Sequence, residues 1–170
     1  MIAPAAVCHW NIRGYRGNYH HLRTLLSDSQ ASVVCLQESR LPNNFPTCPR
    51  GFTIYSKSGL DPNGGLLAEV GGTSILIKNT IAHSPLTLRT NLQAIAFRCH
   101  INKLYTICSL YLPPNSPVHI SDLEELISHS PPLSYCWGTS MQGVPFRETL
   151  FKTRKVNLSK ASFPAIQSAS

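Results

Sequence analysis

The sequence predicts an α/β protein whose first two strands flank a helix and whose later strands form an antiparallel sheet. Two observations indicate this: a strand, helix, strand pattern in the first forty residues, and several β-rich segments separated by turn residues after Gly51. At 170 residues with 42% hydrophobic residues, the chain has room for one domain and enough apolar side chains to bury a core.

Residues 5–10 and 31–36 are short apolar runs, and each is followed by polar residues. We expect two buried strands, because β-branched and apolar residues dominate both runs. Between them, residues 18–27 place three leucines at helical spacing after Asn18, which can serve as a cap.

The later part of the chain is predicted to be mainly β. Strands are expected at residues 52–55, 73–78, 92–101 and 104–112, with a tight turn at Asn102-Lys103 and a surface loop over residues 56–72. A capping box at residues 121–124 opens a helix to about residue 129, and Pro131-Pro132 ends it. After residue 132 the apolar residues follow neither the helical nor the strand periodicity. Residues 1–134 are therefore expected to form the domain, and residues 135–170 an irregular tail.

The net charge of +7 comes largely from that tail. Residues 1–134 hold 10 Lys or Arg against 7 Asp or Glu, a net of +3, and the last 36 residues supply the remaining +4. The chain shows no signal peptide pattern and no apolar run of membrane-spanning length, so an intracellular protein, nuclear or cytoplasmic, is expected, with no membrane partner. The six cysteines form no C-x-x-C pair, which favours reduced core thiols over zinc or disulfides.

Three polar side chains stand at or just past the ends of predicted strands: Asn11, Glu38 and Tyr111. Glu38 offers a hard oxygen to Mg²⁺, a metal that prefers one or two carboxylates together with substrate phosphate oxygens. Asn11 can supply an oxygen to the metal shell or a donor to a phosphate, and the Tyr111 hydroxyl can hydrogen-bond developing charge. Singly, a strand-end Glu is usually a solvated surface group and an Asn after a Trp is usually a turn residue.

Together, the motifs resemble the endonuclease/exonuclease/phosphatase superfamily, and specifically the apurinic-type endonuclease domain of jockey-like non-LTR retrotransposons. The resemblance spans roughly residues 5–132 and rests on five stretches: Trp10-Asn11 with Gly14, residues 36–38, residues 71–78, residues 92–96 and residues 110–114. It implies a four-layer α/β sandwich of two mainly antiparallel sheets, with the C-terminal part incomplete. It also implies Mg²⁺-dependent nicking of DNA for target-primed reverse transcription, with DNA and a reverse transcriptase domain of the intact element as partners.

By the same resemblance, Glu38 is the metal ligand, Asn11 belongs to the metal and phosphate site, and Tyr111 contacts the scissile phosphate. The family also carries a later Gly-Asp-Phe-Asn-Ala motif, which activates and orients the attacking water, and a Ser-Asp-His motif that meets the phosphate. Neither is present, and none of the seven histidines follows Ser-Asp. We therefore expect this copy to be inactive.

A shifted reading frame accounts for the missing motif. Where it is due, residues 135–143 read Tyr-Cys-Trp-Gly-Thr-Ser-Met-Gln-Gly. If each of these codons is taken to start one base earlier, the new codons require Leu, Leu, Gly and Ala at four positions. They permit Leu, Asp, Phe, Asn and Arg at the other five. The shifted frame can therefore spell Leu-Leu-Leu-Gly-Asp-Phe-Asn-Ala-Arg, and we expect the frame to be broken near residue 135.

Two other functions remain open from the sequence. One is a repair endonuclease or a small-molecule phosphatase of the same superfamily. The other is a non-catalytic nucleic-acid-binding or functionless remnant that binds weakly through charge. The oligomeric state is not indicated by any feature of the sequence.

Overall fold

The computed structural model describes residues 6–43, 45–60, 66–67, 71–113, 121–122, 125–126, 134–140 and 145–151. One helix, α1, spans Tyr19–Ser29. The strands are β1 Ala6–Asn11, β2 Ala31–Gln37, β3 Phe52–Lys57, β4 Gly59–Leu60, β5 Leu66–Leu67, β6 Thr73–Lys78, β7 Ala82–Leu86, β8 Gln93–His100, β9 Leu104–Leu112, β10 Ser134–Ser140 and β11 Pro145–Phe151. Residues 121–122 and 125–126 are helical.

These strands form two main sheets. The first has the order β1-β2-β6-β3, and the second has the order β11-β10-β9-β8-β7; β4 and β5 pair separately. Neighbours are antiparallel except for the parallel pairs β1 with β2 and β9 with β10. Each parallel pair requires a crossover connection, which α1 provides between β1 and β2.

Three apolar cores separate four layers. Alternate residues of β2 and β6 face α1 on one side, through Leu36 and Leu76, and the second sheet on the other side, through Cys35 and Ile75. Even-numbered residues of β8 and β9 form a third core on the outer face of the second sheet, together with Leu126 of the helical residues 125–126. The helix, the two sheets and the helical residues at 125–126 therefore stack as the predicted four-layer sandwich.

Most predicted elements are confirmed within a few residues. Two departures occur. The predicted loop at residues 56–72 contains the end of β3 and the short β4–β5 pair, and Gly71 and Gly72 are buried. Strand β7 was not predicted, because it lies at the edge of its sheet and contains Pro85, a residue confined to edge strands.

The expectation of little regular structure after residue 135 is wrong for the residues that the structure describes there. Strand β10 pairs with β9 along its whole length, and β11 pairs with β10. Hydrogen-bonded neighbours on both sides hold β10 in the sheet, so its place does not depend on the alternating pattern that the sequence prediction relied on. Tyr135 and Trp137 are also of residue types that are enriched in strands. The remainder of the tail lies outside the described residues.

No helix in the described part of the chain is long and apolar enough to span a membrane. The five cysteines whose side chains the structure describes form no disulfide, and four of them are buried. Burial raises the pKa of the Cys99 thiol to about 11, as expected for an unreactive core cysteine.

Candidate active site

The parallel pairing of β1 and β2 brings Asn11 and Glu38 to the same edge of the first sheet. Asn11 is the register partner of Gln37, so the chain leaves both strands at one level. The pairing continues beyond the strands, since the Ile12 amide donates to the Gln37 carbonyl (3.0 Å) and the Gly14 amide donates to the Glu38 carbonyl (2.8 Å). The two strand-end segments are therefore fixed against each other by backbone hydrogen bonds.

Glu38 is a buried carboxylate, with only 3% of its surface exposed. Its Oε1 accepts a hydrogen bond from Asn11 Nδ2 at 2.8 Å, and its Oε2 lies 3.7 Å from Arg40 Nη2. The backbone of Glu38 is left-handed, with φ of +50°, a conformation that is uncommon outside glycine and often marks a functional site. A carboxylate removed from water with one close neutral donor keeps lone pairs for a further cationic ligand.

Asn11 acts on Glu38 through its amide nitrogen. Its side-chain oxygen accepts a long hydrogen bond from the Arg13 backbone amide at 3.3 Å. An amide oxygen has two lone pairs, so one remains for a metal ion or a polar ligand. In this geometry Asn11 orients the carboxylate and can still contribute an oxygen at the same edge.

The turn at Gly71 and Gly72 connects Glu38 to Tyr111. The amides of Ser39 and Arg40 donate to the carbonyls of Gly72 (3.3 Å) and Gly71 (3.0 Å). Both glycines have positive φ, +63° and +78°. A β-carbon on Gly71 would lie 2.8 Å from Cε1 of Tyr111, so the backbone there packs directly on the phenol ring.

Tyr111 is 5% exposed and lies at the end of β9, on the second sheet. Burial, and then the negative charge of Glu38, raise the pKa of the phenol above its ordinary value, while the positive charge of Arg40 lowers it. The hydroxyl is therefore a hydrogen-bond donor at neutral pH. The Gly71 backbone, which binds the Arg40 amide and packs on the phenol ring, places Tyr111 at the same edge as Asn11 and Glu38.

A buried polar cluster lies between the two sheets just inside this edge. Ser109 Oγ and Thr73 Oγ1 are 2.6 Å apart, and Gln37 Nε2 donates to Ser109 Oγ at 3.1 Å. All three residues have 0% exposure. Because Gln37 immediately precedes Glu38 and Ser109 is two residues before Tyr111, the cluster sets the spacing between the strands that carry the site.

The structure adds residues that the sequence prediction missed. Arg40 adjoins Glu38, and Gly71 supports Tyr111. Gln93 Oε1 accepts from the Gly72 amide at 2.8 Å, which holds the glycine turn against the second sheet. Gly71 and Gly72 stand within the stretches that carry the family resemblance, and Arg40 lies two residues after one of them, but no spacing rule marks these residues as partners of Glu38 or Tyr111.

The side-chain donors at this edge are few for a divalent metal. Among the side chains that the structure describes, no three His, Cys, Asp or Glu residues are grouped so as to hold a metal ion. Glu38 and Asn11 offer one carboxylate and one amide oxygen. Mg²⁺ keeps several waters and often binds through one or two carboxylates plus substrate phosphates, so this pair fits a weak, water-rich Mg²⁺ site.

The sequence is similar to part of a retrotransposon protein. No protein-family model matches the chain. The RNA-directed DNA polymerase from mobile element jockey of Drosophila melanogaster is 29% identical over 123 residues, which cover 70% of this chain and 13% of the jockey protein. The chain therefore corresponds to a small part of that much longer relative.

Solved structures show the same fold. The endonuclease domain of TRAS1, a telomere-specific non-LTR retrotransposon, superposes with a TM-score of 0.58 at 18% identity, covering 79% of this chain and 59% of that domain. A 3'-5' exonuclease from Neisseria meningitidis gives 0.56 at 15% identity over 79% and 57%, and an AP endonuclease from Archaeoglobus fulgidus gives 0.52 at 16% over 78% and 55%. The chain has the fold of the endonuclease/exonuclease/phosphatase superfamily, as the sequence resemblance predicts, and spans less than two thirds of these structures.

Proposed function

We propose that this chain carries the metal- and phosphate-binding half of a Mg²⁺-dependent DNA endonuclease domain from a non-LTR retrotransposon, and that this copy is inactive. One observation carries the proposal: Glu38 is a buried carboxylate oriented by Asn11 at 2.8 Å, at the edge where Tyr111 also lies. The likeness to the jockey protein and to the TRAS1 domain supports the retrotransposon branch. DNA is the proposed substrate, and the reverse transcriptase domain of the intact element is the proposed partner.

Each residue has a defined task in this proposal. Glu38 and the free lone pair of Asn11 would hold Mg²⁺, which when bound neutralises charge on a phosphate oxygen. Asn11 also keeps the carboxylate in place through its amide nitrogen. Tyr111, protonated at neutral pH, donates its hydroxyl proton to a phosphate oxygen that gains charge during cleavage.

The chain lacks the groups that complete hydrolysis. The Gly-Asp-Phe-Asn-Ala and Ser-Asp-His motifs do not occur in its sequence. A general base contributes roughly 10²- to 10⁴-fold to the rate, and one positioned donor roughly 10²- to 10³-fold. Losing both lowers the rate by about 10⁴-fold or more, which is close to background in an ordinary nicking assay.

Nicking of supercoiled DNA tests the proposal. The 170-residue chain should give background nicking with Mg²⁺. A chain with the shifted frame restored from codon 135, extended by the downstream Ser-Asp-His segment, should nick only with Mg²⁺, and Glu38→Ala should abolish that activity. The matched control is Asp28→Ala, because Asp28 is an exposed carboxylate on α1. Robust nicking by the 170-residue chain that survives Glu38→Ala would refute both the mechanism and the role of Glu38.

Two alternatives predict different results in DNA-binding and cleavage assays. A non-catalytic nucleic-acid-binding remnant is favoured by the single carboxylate among the described site residues. It would bind DNA equally well without a metal and after Glu38→Ala. A repair endonuclease or a phosphatase of the superfamily would, once restored, prefer abasic DNA or a small phosphoester over intact plasmid.

A further inference from the structure

Arg40 occupies a rigid position beside the candidate metal ligand. Its backbone is left-handed, with φ of +52°, and its amide donates to the Gly71 carbonyl at 3.0 Å. A β-carbon on Gly14 would lie 3.7 Å from Arg40 Cδ, so the side-chain stem runs against the backbone of Gly14. Contacts with Gly71 and Gly14 therefore fix the backbone and the side-chain stem of Arg40, from which the guanidinium extends.

The ion pair between Arg40 and Glu38 is loose. The distance of 3.7 Å from Nη2 to Oε2 exceeds the ~2.8 Å of a charge-assisted hydrogen bond. Asn11, at 2.8 Å, is the closer partner of the carboxylate. The Arg40 side chain is 48% exposed, and a guanidinium has five donors, so it has capacity for another acceptor. Glu38 is oriented mainly by Asn11 and does not depend on Arg40 for its position.

The charge of Arg40 also reaches Tyr111, where it opposes the effect of Glu38 on the pKa of the phenol. The geometry gives the same placement, since Arg40 Nη2 lies 3.7 Å from Glu38 Oε2. The Arg40 amide also donates to the carbonyl of Gly71, which packs on the Tyr111 ring. A cation bound by Glu38 would repel it from its present position. The planar fork of an arginine matches the oxygens of a phosphate better than a lysine does.

We propose that Arg40 is a phosphate-contact residue of this edge and that Glu38 is its partner only while no metal is bound. When a divalent ion binds Glu38, the guanidinium turns to a phosphate oxygen of the DNA. This inference rests on the proposed function, and it adds a residue to the proposed site beyond Asn11, Glu38 and Tyr111.

Two affinities measured on the full chain separate this role from that of a support for Glu38. The first is Mn²⁺ binding without DNA, and the second is binding of a short labelled single strand with Mn²⁺ at several salt concentrations. The variants are Arg40→Ala, Arg40→Lys and the control Arg98→Ala. Alanine keeps the β-carbon at φ of +52°, so the backbone strain is unchanged. Arg98 is exposed on β8 and lies five residues from Gln93, the register partner of Tyr111, or ~16 Å along the strand.

Arg40→Ala should weaken DNA binding by about 3- to 10-fold, as expected for a partly exposed charged hydrogen bond. It should also make the slope of log K against log salt concentration shallower by about 0.7, the value for one phosphate contact on a single strand. Mn²⁺ binding should stay equal or become tighter, because a competing cation has been removed. Arg40→Lys should keep the salt slope, and Arg98→Ala should change neither affinity.

Two results would overturn the role of Arg40: equal loss of Mn²⁺ and DNA affinity in Arg40→Ala, which indicates a support for Glu38, or unchanged DNA affinity. Failure of the proposed function is recognised separately, in the parent chain. If the parent binds DNA with no dependence on Mn²⁺ or on Glu38→Gln, the proposed metal site is wrong. An Arg40-dependent salt slope in that case would still establish the phosphate contact.

Discussion

Gly71 and Tyr111 are in direct backbone-to-ring contact, so close that a β-carbon on Gly71 would lie 2.8 Å from Cε1 of the phenol. The same glycine accepts a hydrogen bond from the Arg40 amide, two residues after Glu38. One residue therefore links the strand end that carries the carboxylate to the strand that carries the phenol. The relative placement of Glu38 and Tyr111 depends on the absence of a side chain at position 71.

Gly71→Ala should destabilise the protein more than Gly51→Ala does. Both glycines have positive φ, so alanine at either position adds about 1–2 kcal/mol of backbone strain. Only at position 71 would the new carbon also meet a ring and Gln93 Oε1, at 2.8 Å and 3.0 Å, which adds about 1–3 kcal/mol for overpacking. At Gly51 nothing lies within 4 Å. Chemical denaturation of both variants measures the difference, and equal losses would contradict the close packing.

Glu38→Gln should lower the pKa of Tyr111. The negative carboxylate disfavours the phenolate, so removing its charge while keeping its shape makes ionisation easier. Arg40→Ala should shift the same pKa upward, because the arginine stabilises the phenolate. The pKa should remain above the ordinary tyrosine value in Glu38→Gln, since burial is the larger cause. A pH titration of tyrosine-labelled protein by NMR, with Tyr111→Phe to assign the signal, measures both shifts, and identical values in all variants would rule out the coupling.

The polar cluster between the sheets should respond unequally to two substitutions. Ser109→Ala leaves the fully buried amide of Gln37 without its acceptor, and no donor in the described residues reaches Gln37 Oε1. An unsatisfied buried polar group costs about 1–3 kcal/mol. Gln37→Met removes the whole amide at similar volume, while Ser109 keeps its bond to Thr73 at 2.6 Å, so this variant should lose less stability. Unfolding free energies of the two variants give the order, and a larger loss for Gln37→Met would be evidence against this reading of the cluster.

The sequence alone could predict the location of the site because of simple geometry. Asn11 and Glu38 each follow an apolar run, and parallel strands end at a common edge. Tyr111 was grouped with them because it too stands at a predicted strand end and because of the family resemblance, and the structure puts it at the same edge. The chemical roles of all three residues stay predictions.

The details that hold the site together could not be read from the sequence. The left-handed backbone at Glu38 and Arg40 goes against the preference of both residue types, so local propensity gives no signal for it. The contact between Gly71 and Tyr111 joins residues forty positions apart in sequence. Every residue of β2, which includes Gln37, is buried. The strand therefore lacks the alternation of apolar and polar residues that would show which sheet face Gln37 lies on.

The position of β10 indicates where the residues of the shifted reading frame would lie in the fold. In that frame the Asp of Gly-Asp-Phe-Asn-Ala falls at position 139. Thr139 is the register partner of Tyr111 in the parallel pair β9 and β10. Register partners on adjacent strands lie side by side, so the shifted frame would bring a carboxylate to the edge where Glu38 lies.

The nucleotide sequence of codons 134 to 140 decides whether the frame is broken there. An Asp, a Phe and an Asn in the shifted frame require particular third bases in three codons: GGG for Gly138, ACT for Thr139 and TCA for Ser140. The genetic code leaves each of these bases free in the present frame, so nothing in the amino-acid sequence forces the three together. Finding all three, with an insertion or deletion just upstream of codon 135 relative to an intact copy of the element, is the expected result. If codon 138 ends in any base other than G, the shifted frame has no Asp at position 139 and supplies no carboxylate there. Strands β10 and β11 would then belong to the original reading frame of the protein.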